Sequence, residues 1–279
     1  MAPAWIADKD YIAHMLSAPD RKQLDRALAI IRQVLNSQVV GAYLFGSAVH
    51  SGLRPESDLD IFVLCKRPTT LSEKKRLVRS LRAISGKVTP EGTWRRVEVT
   101  IVVHSDITPW RYPPSLDLQY GDWLWSEFEK GNFEPSPTPL RPDLALLITM
   151  VVVADTALVG PPPSCVFEPV PHEHVLRAMV SDIDRLRSDI DSDTRNVILT
   201  FARIWSTFAT GAIRSKDEAA NWVIERLPPA YKSVVAHARE AYLGSEAERW
   251  DDLSGSIVPC VDNMITEIKR LAVASSVQG

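Results

Sequence analysis

Two aspartates separated by one leucine, Asp58 and Asp60 in "ESDLDIFVL", stand at the head of an apolar, β-branched run. Side chains two apart on a strand share a face, so both carboxylates project to one point while Leu59 turns inward. Like charges so placed repel, and one takes up a proton unless a cation lies between them. A hard divalent cation removes the conflict, and Mg²⁺ favours a few carboxylates completed by phosphate oxygens and water. The pair points to metal-dependent phosphate chemistry.

Two further features fit that chemistry. Gly46 and Ser47 follow the apolar run "VVGAYLF" and precede "AVHSGL", which predicts a tight turn into a short helix. Backbone N–H groups at such a turn bind phosphate, glycine permits close approach, and serine adds a hydroxyl. Glu98 lies between Val97 and Val99 in "VEVTIVV", so alternation places it on the face opposite the one those valines fill. Each feature alone is commonplace: Gly-Ser is a frequent turn, and Asp-x-Asp before a strand is often a capped loop. The order strand, Gly-Ser, Asp-x-Asp on a second strand, then an acid on a later strand is far more specific.

The elements that must position these residues are legible from hydrophobic spacing. Residues 39–45, 59–65 and 97–103 read as short strands. Between the last two, "LSEKKRLVRSLRAISG" puts Leu71, Leu77, Leu81 and Ile84 at helical spacing and stops at Gly86. Five prolines in the twelve residues of "GPPPSCVFEPVP" (160–171) predict an interdomain linker, with domains at 1–158 and 159–279. Beyond it, Val175, Leu176, Met179, Ile183 and Leu186 share a helical face. Asp193 is placed to cap a helix that ends at Gly211, and Ser215 with Glu218 forms a capping box. Helices to "AYLG" and over "VDNMITEIKRLAVA" complete a bundle. The plan is an α/β domain followed by an all-helical one.

Composition narrows the function classes. The 279 residues carry 35 acidic and 32 basic side chains, a net charge of −3, so no basic field exists to hold nucleic acid. Cys65, Cys165 and Cys260 are widely spaced and odd in number, which argues against disulfide and zinc frameworks. The apolar stretch "ALLITMVVVA" is about half the length a bilayer needs and reads as a buried helix, not a span. No secretory pattern opens the chain, and a cytoplasmic monomer is expected.

The segment "LFGSAVHSGLRPESDLDIFV" resembles the nucleotidyltransferase signature of the polymerase-beta-like superfamily. More narrowly, "GSAV", "LRPESDLDIFV", "VEVTIVV", "PWRYPPSLDLQYGDWL", "RNVILTFARIW", "KDEAANWVIERLP" and "AYLG" resemble the aminoglycoside adenylyltransferases acting on streptomycin and spectinomycin. The likeness runs from about Val39 to Gly244. It implies an α+β chain: a nucleotidyltransferase domain with a mixed sheet, then a helical bundle.

By that resemblance the protein transfers AMP from MgATP to the 3'' hydroxyl of streptomycin and the 9 hydroxyl of spectinomycin, releasing pyrophosphate. Asp58 and Asp60 would hold Mg²⁺, two ions with ATP, while Gly46, Ser47 and Ser57 would contact phosphates. Glu98 matches the general base. Asp143, Arg203, Lys216 and Tyr242 match nucleotide contacts, so the nucleotide is expected to engage both domains. Spectinomycin-only members lack a tryptophan and an aspartate that dual-specificity members possess; Trp123 and Asp189 match them, and Asp193 matches a carboxylate used for both drugs. Two guanidinium groups on streptomycin suit such carboxylates, and an aromatic face suits a sugar or a cation. The alternatives are a spectinomycin-only enzyme, an enzyme of this fold that adenylylates a protein or another small molecule, and a non-catalytic nucleotide-binding module.

Overall fold

A computed structural model describes residues 16–50, 52–89, 92–122, 124–130 and 140–276. The strands are β1 (Val39–Leu44), β2 (Leu59–Cys65), β3 (Val88–Thr89), β4 (Gly92–Thr93), β5 (Val97–Val103), β6 (Leu118–Tyr120) and β7 (Ala157–Val159). Five of them form one mixed sheet in the order β6-β5-β2-β1-β7, and β3 and β4 form a separate hairpin. The pair β2 and β5 is parallel, whereas every other neighbour in the large sheet is antiparallel.

Burial explains why these runs are strands. Leu59, Ile61, Val63 and Cys65 of β2 and Val97, Val99 and Ile101 of β5 join Leu24, Ala27, Ile31, Leu77 and Leu81 in one core. The latter five come from helices Ala18–Leu35 and Leu71–Arg82. The second helix starts at a capping box in which Thr70 accepts from the N–H of Glu73 and Glu73 accepts from the N–H of Thr70. It ends at Arg82, earlier than expected, and Gly86 supplies a positive-φ turn four residues later. Leu71, expected on the buried stripe, is 48% exposed because it is the first helical residue and lies off the packed face, while Ile84 is buried beyond the helix end.

The opposite sheet face is aromatic. Phe62 meets Phe45 at 6.3 Å and Phe167 at 5.9 Å, and Tyr43 meets Phe167 at 5.4 Å, all edge to face. Phe167 belongs to the proline-rich stretch, so that segment is not the free linker its composition predicts. Its prolines limit regular structure to one 3-10 turn, Pro163–Cys165, but do not prevent packing, and Pro163 and Phe167 are both buried. The chain divides into two compact units, Met1–Val175 and Leu176–Gly279, with the division inside helix His172–Val180.

The single helical face expected over 175–186 is carried by two helices, His172–Val180 and Ile183–Ser188. Helices Thr194–Thr210, Lys216–Ile224, Pro229–Leu243 and Ser254–Ser276 follow, the first and third ending on left-handed Gly211 and Gly244. The apolar helix Leu144–Ala154 of the first unit buries Leu144, Ala145, Ile148, Met150 and Val151 but leaves Val153 exposed. Among the described residues no helix is long and apolar enough to cross a membrane.

A buried ion pair ties the exit of β2 to the approach of β6. Lys74 Nζ lies 3.2 Å from Asp117 Oδ1, and Asp117 also accepts from the N–H and hydroxyl of Thr69. Both charged side chains are less than a tenth exposed, so losing one strands the other without solvent. Lys74→Met is expected to destabilise the protein by about 3–5 kcal/mol in urea unfolding; a loss under about 1 kcal/mol would show that the pair carries no such burden.

Candidate active site

The acids converge because of strand register. In the parallel β2–β5 ladder Asp60 stands directly opposite Glu98, and both are partly exposed while Leu59, Ile61, Val97 and Val99 are fully buried. Glu98 therefore lies on the face away from the helix-covered core, as its alternation predicts. Asp58, just before β2, shares that face two residues earlier.

The Gly-Ser turn lies against the same acids. Gly46 has φ of +71°, and a Cβ there would meet Asp60 Oδ2 at 2.2 Å. Only a residue without a side chain lets the turn approach this carboxylate. Ser47 then opens the short helix Ser47–His50, anchored by the fully buried Ala48. Ser57 is buried, and its Oγ accepts from the N–H of Arg54 at 3.0 Å, so its hydroxyl closes the loop turn.

Sequence reasoning missed what holds this loop. Residues 52–58 have no regular structure, and the Arg95 guanidinium donates to the carbonyls of Arg54 at 2.5 Å, Ser57 at 3.0 Å and Pro55 at 3.3 Å. Arg95 is itself held by Asp20 at 2.8 Å, and Gln23 bridges the Arg95 and Ile84 backbones. The adjacent Arg96 donates from Nε to Asp58 Oδ1 at 2.8 Å. That hydrogen bond, followed by the charge of Asp58, raises the Arg96 pKa against the opposing effect of burial, and Glu56 and Asp122 also act on it. An Arg-Arg pair before a strand carries no motif, so only its partners reveal the role.

In the second unit four polar residues on three helices and one helix-start loop form a chain. Lys216, at the first turn of its capping-box helix, donates to Asn196 Oδ1 at 2.8 Å and lies 5.7 Å from the Tyr242 ring centroid. Asn196 in turn donates to Asp193 at 2.9 and 3.1 Å. Three expected residues, Asp193, Lys216 and Tyr242, are thus linked through one that was not expected. Asp193 stands at the N-cap position of helix Thr194–Thr210 but makes no side-chain cap, because its carboxylate takes the Asn196 amide instead. Arg203 is half-buried on that helix. Asp189 closes helix Ile183–Ser188 and pairs with Arg185 at 3.3 Å.

Asp143 precedes helix Leu144–Ala154 as expected, with its carboxylate gripped by Arg141 at 2.6 and 2.9 Å. Trp123 lies outside the described residues; beside it, Asp122 accepts from Ser85 at 2.7 Å and Trp125 lies under Arg82 at 5.3 Å. Burial pushes the Cys65 and Cys260 thiols up to about 12, which keeps them protonated and non-nucleophilic. A cavity of about 510 Å³ in the second unit includes Trp205, Trp222 and Arg270 in its lining but none of the expected residues, and Arg226 already covers the Trp222 ring at 4.0 Å.

A divalent cation fits the donor set of the acidic face. Asp58 and Asp60 are hard oxygen donors just before and within β2, and the Asp60 carboxylate lies in the space a Gly46 side chain would fill. Among the described residues no group of three or more His, Cys, Asp or Glu is arranged to hold a metal by itself. Two carboxylates completed by phosphate oxygens and water are what Mg²⁺ ordinarily takes.

A mixed sheet that sets Asp60 beside Glu98 on adjacent parallel strands, with a Gly-Ser turn against Asp60, has the layout of a nucleotidyltransferase domain of the polymerase-beta type. Consistent with this, residues 30–92 match the family "Polymerase beta, Nucleotidyltransferase", and residues 165–267 match "Aminoglycoside adenylyltransferase, C-terminal domain". The chain is 36% identical over 259 residues to a spectinomycin 9-adenylyltransferase of Staphylococcus aureus, spanning 92% of this chain and 98% of the relative. It is 40% identical over 229 residues to an aminoglycoside (3'')(9) adenylyltransferase of Escherichia coli, spanning 81% and 86%. The crystal structure of spectinomycin adenyltransferase AAD(9) from Enterococcus faecialis with ATP and spectinomycin matches with a TM-score of 0.83 at 30% identity, covering 89% of this chain and 99% of that one. The chain belongs to the aminoglycoside adenylyltransferase family.

Gly46→Ala is expected to lower kcat/KM by roughly 100-fold or more, the scale of a displacement of about 1 Å at a reacting centre. Circular dichroism should show the fold retained. A variant with near wild-type kcat/KM would mean that the Gly46–Asp60 approach is incidental.

Proposed function

We propose that this protein transfers AMP from ATP to a hydroxyl of streptomycin and of spectinomycin, as a cytoplasmic monomer. The observation that carries the chemistry is the register of β2 and β5, which sets Asp60 beside Glu98 on the face that Asp58 shares. The choice of acceptors is supported by similarity to relatives named for spectinomycin alone and for both positions, together with Trp123, Asp189 and Asp193.

The acceptor hydroxyl oxygen attacks the α-phosphorus of ATP, the bond to the bridging oxygen breaks, and pyrophosphate leaves. Glu98 takes the hydroxyl proton as the bond forms, which demands a carboxylate within reach of the acceptor. Asp58 and Asp60 would hold Mg²⁺, two ions with ATP, and such ions would supply positive charge against the phosphates. Gly46 and Ser47 seat the phosphates against backbone N–H groups, and Ser57 shapes the loop that carries Asp58. Lys216, Arg203, Tyr242 and Asp143 serve the nucleotide. Asp189 and Asp193 bind cationic groups of the drug, with Trp123 packing on it.

The direct assay is pyrophosphate release by the purified protein with MgATP and streptomycin, spectinomycin, kanamycin or no acceptor. Release with the first two alone is expected. Spectinomycin alone would remove the roles given to Trp123 and Asp189 and leave the chemistry standing, and silence with every drug would favour a protein or other small-molecule acceptor.

Glu98→Gln should abolish transfer to both drugs, a loss of at least about 100-fold, while ATP binding by calorimetry persists; loss of ATP binding would move Glu98 into the metal shell. Trp123→Ala should depress streptomycin transfer selectively. Equal depression with both drugs would make Trp123 a packing residue.

A further inference from the structure

The acidic face contains its own cation. Arg96 immediately precedes β5, and its carbonyl accepts from the N–H of Leu59 at 2.8 Å. Asp58 and Arg96 each stand one residue before the Leu59–Val97 pair at which the parallel ladder starts, and their side chains meet at 2.8 Å. The site thus holds one cross-strand pair, Asp60 with Glu98, and beside it one side-chain pair, Asp58 with Arg96. One pair is acid with acid, and the other is acid with guanidinium. The Arg96–Asp58 contact at 2.8 Å occupies an oxygen of a carboxylate to which the proposed function gives the metal.

We infer that Arg96 is an internal counter-cation of this site: its guanidinium holds Asp58, and a divalent cation must take that carboxylate from it. The inference rests on the proposal that Asp58 and Asp60 bind the metal. The side chains of Arg96 and Asp58 are 48% and 26% exposed, so the pair is wet enough to exchange and no packed core locks it. While Arg96 is in place it neutralises one of three carboxylates and lowers the pull of the face on a free divalent ion. Cation binding then depends on the additional oxygens of a triphosphate, which ties loading of the metal to arrival of the nucleotide. Arg96 is a positioning residue in this scheme and touches no reacting atom.

The test uses Mn²⁺ as probe, with the free ion measured by electron paramagnetic resonance in the full-length, nucleotide-free protein. Removing an exposed guanidinium competitor should tighten Mn²⁺ binding by roughly threefold to tenfold in Arg96→Ala. Arg96→Lys, which keeps the charge, should stay near wild type. Arg96→Met keeps the aliphatic stem and replaces the alanine variant should that fail to fold by circular dichroism. Unchanged or weaker binding overturns the inference, as does no measurable binding in any variant; weaker binding would mean that Arg96 orients Asp58 as a ligand.

Adding Asp60→Asn separates this failure from failure of the metal assignment. If the double variant binds Mn²⁺ as tightly as Arg96→Ala, the ion is not at the Asp58–Asp60 pair, and the assignment falls with the inference. If Asp60→Asn abolishes Mn²⁺–ATP binding in the wild-type background while Arg96→Ala changes nothing without nucleotide, the metal site stands and only the counter-cation role is lost.

Discussion

The parallel pairing of β2 with β5 is the constraint on which the site depends. Seven consecutive residue pairs, from Leu59 with Val97 to Cys65 with Val103, run without a bulge. Side chains alternate with a period of two, so a slip of one residue would turn Glu98 into the core and Val97 or Val99 into the acidic cluster. Such a slip is opposed from both sides: Ile61, Val63 and Val99 are packed under two helices, and Phe62 is seated among Phe45 and Phe167. The placement of Asp60 beside Glu98 is thereby set by hydrophobic burial some residues away.

Clustering acids on that face creates an electrostatic problem, and two adjacent arginines answer different parts of it. Arg95 points at main-chain carbonyls and gives an irregular loop the definition that strand pairing gives its neighbours. Arg96 points at a carboxylate. Gln23 and Asp20, on the first described helix, then bind Arg95, so a helix with no part in the chemistry supports the loop that carries Asp58. This is a supporting layer of the kind that keeps a site within the tolerance catalysis demands.

The second unit uses helix starts where the first uses strand register. The Ser215–Glu218 box fixes where helix Lys216–Ile224 begins, and so where the Lys216 ammonium starts its reach. Asn196, one turn into its own helix, joins that ammonium to Asp193. Asp193 forgoes the capping bond its position suggests, and a residue at a cap position that does not cap is free for other polar partners.

Much was determined by the sequence alone, because local spacing dictates local structure. Alternation in "VEVTIVV" and "LDIFVLC" defined two strands to the residue and placed Glu98 off the core, and Gly211, Gly244 and the Ser215 box marked helix ends through their own φ preferences and side-chain reach. Composition failed where packing overrides it: prolines keep α-helix and sheet out of 160–171, leaving one 3-10 turn, yet Phe167 finds an aromatic slot that no local rule predicts. The opposition of Asp60 to Glu98, the grip of Arg95 on the loop, the contact of Arg96 with Asp58 and the Asn196 bridge were decided only by tertiary structure. Each joins residues 20 to 40 or more positions apart, and which of many possible partners a charged side chain meets is settled by how strands and helices bury their apolar faces, not by the charge itself.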